Sequence, residues 1–229
     1  MESRIPQKDH NRFVLTTSYR VQKGAFPWKW DVQPPWLTLT KVAAQVYPEP
    51  DTGARPLGLL GIRQPVVVLA QQNGWVNIGQ NRWILQNHLD DPLRIPKLIP
   101  AKIGLPFEIL WLEDRTLAYD AFDRELRSRR LQKEVHIERA DSIEDALSRL
   151  TQKPYTAMIS RRSSQQDAWM GINLCYILRL AGSDLPVAVY TQERAYPELH
   201  TELQEAGGVG VIAGVKAMVE WVIQRRDKL

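Results

Sequence analysis

The chain has one cysteine and four histidines in 229 residues. Cys175 has no partner for an internal disulfide, and His10, His88, His136 and His200 are too scattered to suggest a metal site, which disfavours disulfide scaffolds and zinc fingers. No apolar run approaches the roughly 18 to 20 uncharged residues of a membrane span. The N-terminus MESRIPQKDHNR lacks the apolar stretch of an export signal. A cytoplasmic protein that does not enter membranes is expected. Also missing are a P-loop, a G-x-G-x-x-G turn, a G-x-S-x-G elbow and a Cys/His pair at a plausible site. Gly207, Gly208 and Gly210 read as a helix-to-strand turn, and Cys175, on an apolar helical face, reads as core. Neither a cofactor nor an enzymatic activity is expected.

What is present is an ordinary globular composition, 44% hydrophobic and 24% charged. The net charge of +4 is unevenly placed: residues 1 to 100 carry 12 Lys/Arg against 7 Asp/Glu, and residues 101 to 229 carry 18 against 19. The N-terminal cations are interspersed rather than clustered, which favours a solvated surface over a nucleic-acid groove.

Five of the eight tryptophans, Trp28, Trp30, Trp36, Trp75 and Trp83, lie in the first hundred residues, with most of the prolines. The second half alternates short apolar runs with amphipathic helical stretches. Such a shift marks a domain boundary. The four prolines of DDPLRIPKLIPAKIGLP, residues 90–106, interrupt helix and strand hydrogen bonding. The expected division is a Trp/Pro-rich, partly β leader over 1–41, a small all-β unit over 42–90, a linker over 91–106 and an α/β domain over 107–229. The linker's Leu93, Ile95, Leu98 and Ile99 leave open whether it is a docked strap or a flexible tether.

In the N-terminal half, residues 66–69 form a β-branched run, Asn73-Gly74 signals a hairpin turn, and Trp75 to Ile78 alternate as a half-buried strand. A further turn leads to Arg82-Trp83-Ile84-Leu85. A small, bent antiparallel barrel is expected. Residues 42–86 resemble the bacterial Src-homology-3-like family in the order VY-x-x-P, polar loop, V-x-V-L, N-G-W and a final W-I strand. Intracellular members bind proteins or pack against a neighbouring domain. Tyr47, Trp75 and Trp83 could then line a groove for a proline-containing peptide, or fill the barrel.

From Phe107 five βα units are expected: strands at FEILWL, EVHIER, residues 155–160, 185–190 and 209–213, each followed by a helix. Ser142-x-x-Asp145 marks one helix start. This alternation implies a parallel sheet covered by helices on both faces. The marks ILWLED, LPVAVYT and EAGGVGVI resemble the response-regulator receiver domain, which implies a five-stranded flavodoxin-like sheet of order 2-1-3-4-5. Receiver chemistry uses an acidic pair that holds magnesium, a phosphoacceptor aspartate, a hydroxyl and a lysine. By the resemblance, the acidic pair corresponds to Glu113 and Asp114 and the hydroxyl to Thr191. The acceptor position falls on Arg161, or on Ser160 if the alignment slides by one, and the lysine position falls on Gly214. Asp167 lies six residues past Arg161. Arg161 could pair with Glu113 and Asp114 and neutralise the pocket without metal, or point to solvent and leave the acids hydrated; weak magnesium binding at Glu113 and Asp114 stays open.

The expected function is a non-catalytic adaptor or scaffold in a bacterial signalling or multiprotein assembly, with protein partners. The resemblance implies a pairing face over residues 196–224, with Trp221 as an anchor or as helix packing, and a homodimer through that domain as one outcome. Two rivals are an active response regulator with an unconventional acceptor and a nucleic-acid-binding module using the basic N-terminal half.

Overall fold

A computed structural model describes residues 34–104, 106–113, 116–163, 169–191 and 197–228. The leader expectations for 1–33, with Trp28 and Trp30, lie outside the described residues, as do Asp114, Asp167 and Tyr196.

The N-terminal unit consists of seven short strands in three small antiparallel sheets. Strand β1 (Trp36–Leu39) pairs with β4 (Pro65–Val68), β2 (Ala44–Val46) with β3 (Gly58–Leu60), and β5 (Ala70–Gln72), β6 (Trp75–Asn77) and β7 (Trp83–Leu85) form a meander. Trp36–Leu39, within the stretch read as a partly β leader, therefore pairs with a strand of the β unit. The strand is buried along its whole length, as is its partner. Such two-faced burial removes the alternation by which a half-buried strand is read from sequence. The Asn73-Gly74 turn is built as expected, with φ of 48° and 81°, the left-handed pair a tight hairpin needs.

The proline-rich stretch after Asp90 is docked where it can be followed. The Leu93 amide donates to the Leu37 carbonyl (2.7 Å), Ile99 to Leu150 (2.9 Å) and Lys102 to Tyr155 (2.7 Å), and Thr38 Oγ1 donates to the Asp90 carbonyl (2.7 Å). Each proline lacks a donor, but the residues between them retain theirs and spend them on both halves of the chain.

The C-terminal half contains β8 (Phe107–Leu112), α1 (Thr116–Ser128), β9 (Val135–Ala140), α2 (Ile143–Leu150), β10 (Ala157–Arg161), α3 (Met170–Leu180), β11 (Val187–Thr191), α4 (Pro197–Glu205), β12 (Gly210–Ala213) and α5 (Val215–Arg226). All strand pairs are parallel, and the order is β9-β8-β10-β11-β12, which is 2-1-3-4-5 counted within the domain. Helix α2 begins as the sequence signals: Ser142 Oγ accepts from the Asp145 amide at 3.1 Å. One face of the sheet is covered by α1 and α5 around Trp111, Phe122, Ile159 and Val219. The other face carries α2 and α3, and its core runs on without a break into Leu37, Val66 and Val68 of the N-terminal unit. The two halves thus share one apolar core through α3, β1 and β4.

Beside the strap, Glu138 of β9 draws together three elements. Lys153 Nζ lies 2.5 Å from its carboxylate, Tyr155 Oη donates to it at 2.9 Å, and Arg149 of α2 pairs with it as well. Burial opposes ionisation of Glu138, but the hydrogen bonds from Lys153, Tyr155 and Arg149 outweigh it and hold its pKa below the ordinary 4.5. A depressed acid contributes stability above its ordinary pKa and loses it as pH falls through the lowered one. Glu138→Gln is therefore expected to cost about 1 kcal/mol at pH 7, limited because the side chain remains a third exposed, and less at about pH 3, below the ordinary carboxylate pKa. Urea melts of both proteins at the two pH values check this, and a deficit that persists undiminished at acid pH would assign it to packing instead.

Candidate functional site

Parallel strands bring their C-terminal ends to one edge of the sheet, so β8, β10 and β11 place Glu113, Arg161 and Thr191 there together. The register pairs Ser160 with Leu112 and Val189, and Arg161 with Tyr190. Arg161 thus occupies the strand end, and Ser160 points elsewhere: it is fully buried and its hydroxyl donates to the Arg161 carbonyl at 3.0 Å.

Glu113 is a buried carboxylate whose side chain exposes only 2%. Arg161 Nη1 lies 3.4 Å from its Oε1, with 17% of the arginine side chain exposed. Of the two alternatives for Arg161, pairing with the acid rather than pointing to solvent is the arrangement found. The guanidinium charge offsets a carboxylate that would be costly to bury alone. Arg139 of the neighbouring strand reinforces the backbone here: its Nε donates to the Glu113 carbonyl at 2.9 Å, and its Nη2 pairs with Asp141 at 3.0 Å.

The remaining wall is made by small residues. Thr191 is buried at the end of β11, and its carbonyl accepts from the Gly214 amide at 3.2 Å. Gly214 has φ of 82° and stands at the N-cap of α5. That left-handed backbone favours glycine over lysine, whatever the space around it. Lys216, two residues on, is exposed on α5. Gly171, in the first turn of α3, was not singled out from sequence. A Cβ there would stand 2.8 Å from the Arg161 carbonyl and 2.9 Å from Val189 Cγ2, so only glycine lets α3 approach the end of β10 this closely.

The resemblance to receiver domains implies a divalent cation at this edge. The described residues do not fit one: the buried carboxylate already faces a guanidinium, and the end of β10 brings a cation where a metal needs a ligand oxygen. No cluster of three His, Cys, Asp or Glu side chains able to hold a metal occurs among the described residues.

The aromatic groove expected in the β unit takes a different form. The Tyr47 and Trp75 rings meet edge to face at 5.5 Å and 89°, and each residue is only 8% exposed. Trp83 is half-buried and bridges to Tyr47 through the backbone, N···O 2.8 Å in both directions. Two of the three rings thus fill the unit, as its scarcity of other large side chains requires, and do not line an open groove. Trp221 is half-buried against the α1/α5 core, with the Arg225 guanidinium 5.1 Å from its ring centre. Cys175 is fully buried, and burial pushes its thiol up to about 12, which leaves it inert at neutral pH.

The strand order, the uniformly parallel register and helices on both faces define the C-terminal half as a flavodoxin-like domain. No protein-family model matches the chain, and no curated protein does. Solved structures do, over the C-terminal half. A response regulator receiver protein from Pseudoalteromonas atlantica is 18% identical, with a TM-score of 0.45, over 53% of this chain and 97% of that one. A two-component response regulator from Clostridium difficile is 17% identical, with a TM-score of 0.41, over 52% of this chain and 96% of that one. The fold is carried by the topology above, not by these likenesses. No helix among the described residues is long and apolar enough to cross a membrane.

Proposed function

We propose that this protein is a non-catalytic adaptor or scaffold in a bacterial signalling or multiprotein assembly, in which a receiver-like domain recognises protein partners without aspartyl phosphorylation. The observation that carries the reading is Arg161 at the end of the third strand, 3.4 Å from Glu113. A phosphoryl acceptor at that place must be a carboxylate, and a guanidinium cannot form an acyl phosphate. The same cation stands in for metal at the buried acid, so the pocket stays neutralised in one state, with no ligand-dependent charge to switch it. The N-terminal unit, read as a Src-homology-3-like module, would then serve by its fixed attachment to the receiver-like domain, and partners would include other proteins or a second copy of the chain.

Incubation of the full chain with acetyl phosphate and magnesium, followed by intact mass measurement, tests this. The mass is expected to stay unchanged. A hydrolytically labile gain of one phosphoryl group would overturn the reading in favour of an active regulator with an unconventional acceptor.

A further inference from the structure

At the opposite edge of the sheet, about 20 Å from Arg161 along the strands, a cleft of about 220 Å³ lies between residues 101–103 of the strap and the C-terminal end of α5. Its lining is apolar at Ala101, Phe107 at the start of β8 and Pro186 just before β11, with Thr156 beside them. Ile103 stands on the rim with 83% of its surface exposed. Three cations, Lys102, Arg225 and Lys228, line the same cleft against a single carboxylate, Asp184.

These cations are not equally occupied. Lys102 reaches Glu108 at 4.0 Å. Asp227, the nearest acid in sequence, is taken by Arg226 at 2.7 Å, and Glu134 by the same arginine at 2.8 Å. Among the described residues, neither Arg225 nor Lys228 has a carboxylate within ion-pair distance, and the Arg225 guanidinium rests on the Trp221 ring. Burial lowers the pKa of Arg225, which marks a charge that is partly desolvated without an anion to compensate it. Stacking on Trp221 limits the rotamers of the guanidinium, so an incoming acid meets a positioned donor fork.

We infer that this cleft, formed by Lys102, Arg225 and Lys228 around this apolar lining, docks an acidic peptide segment of a partner protein that carries an aliphatic side chain beside its carboxylate. Charge complementarity selects an acid, and the lining selects the neighbouring apolar group. The volume lies below the roughly 300–1,000 Å³ of small-molecule and cofactor sites, so it accommodates one or two side chains rather than a nucleotide. The identification of the occupant as protein rests on the adaptor reading; the cation cluster and cleft do not.

The test uses the full chain and a fluorescein-labelled ten-residue peptide of alternating glutamate and leucine, followed by fluorescence anisotropy. Two control peptides replace all glutamates with glutamine or all leucines with serine. The Glu/Leu peptide is expected to bind at least tenfold more tightly than either control and to weaken as salt rises. Arg225→Gln and Lys228→Gln should each weaken it severalfold, and the double variant tenfold or more, with thermal melts unchanged. Arg161→Gln, at the other edge, should leave binding as it was. The inference is overturned by absence of binding below about 1 mM, by equal binding of the glutamine peptide, or by binding indifferent to the double variant. A single-stranded oligonucleotide that binds in an Arg225-dependent way would also overturn it. None of these results produces a phosphoryl adduct, so failure here and failure of the adaptor reading are told apart by the mass measurement.

Discussion

Arg82→Ala is expected to lower stability by about 3 kcal/mol and to loosen the N-terminal unit from the flavodoxin-like domain. Arg82 is 1% exposed although it carries a full charge. Its Nε donates to the Gly79 carbonyl at 3.1 Å, and its guanidinium lies 5.3 Å from the Trp169 ring centre, at the start of α3. Its charge also acts on Glu202 of α4 and Tyr176 of α3. Nearby, Gln80 Nε2 donates to Glu205 at 2.8 Å. Truncation to alanine would leave a cavity between the two halves and remove one of the cations that offset the partial burial of Glu202. Burial raises the pKa of Glu202, and Arg82 is the first of the cations that counter it. A buried acid with a raised pKa destabilises the fold when ionised and is relieved as pH falls toward the ordinary carboxylate range. The deficit of Arg82→Ala should therefore be full at pH 8 and smaller near pH 5. Chemical denaturation at both pH values, with limited proteolysis of the 91–106 strap, measures it; an unchanged midpoint would mean that Arg82 is a bystander. Gly79→Ala should act at the same place. Gly79 has φ of 113°, and a Cβ there would stand 2.7 Å from Arg82 Nη2 and 2.8 Å from the Tyr176 ring.

Trp111→Ala is expected to cost about 3–5 kcal/mol, a large share of the roughly 5–15 kcal/mol of a typical domain. Trp111 is completely buried one residue before the C-terminal end of β8. It meets Phe122 of α1 edge to face at 5.0 Å and 89°, and Tyr190 of β11 at 6.5 Å, so it joins the sheet to its covering helix and to a strand two places away. Its indole Nε1 is buried without a hydrogen-bond partner among the described residues. Trp111→Phe removes that unsatisfied donor along with part of the ring, and the two effects oppose one another. The phenylalanine variant should lose about 1–2 kcal/mol, well short of the alanine variant. Equal losses in the two would show that the indole's bulk is not what holds α1 to the sheet.

The parts of the fold visible in the sequence are those with a local cause. The Ser142 cap and the apolar spacing of Ile143, Ala146, Leu147 and Leu150 specify α2 within eight residues. The Asn73-Gly74 hairpin and the apolar runs of β8 and β11 are equally self-contained. The site was legible in part for the same reason: Glu113, Arg161 and Thr191 each end a recognisable strand. What escaped depends on distant partners. Trp36–Leu39 is a strand because Val68 to Pro65 lie beside it, nearly thirty residues later. Tyr47 and Trp75 have the same composition signal whether they line a groove or fill a core, and only the count of other large side chains around them decides between the two.

By itself, the order of apolar runs, caps and turn residues determined that a small β unit precedes five βα units, with Arg161 following the apolar run of the third of them. Secondary structure follows from hydrogen bonding and side-chain periodicity within a few residues, so it is written locally. Only the tertiary structure decided that Arg161 turns toward Glu113, that α3 is packed between the sheet and β1 and β4, and that Arg225 and Lys228 stand without carboxylate partners among the described residues over a cleft. Those outcomes come from burial and charge compensation between residues brought together by the chain's path, which no local window contains.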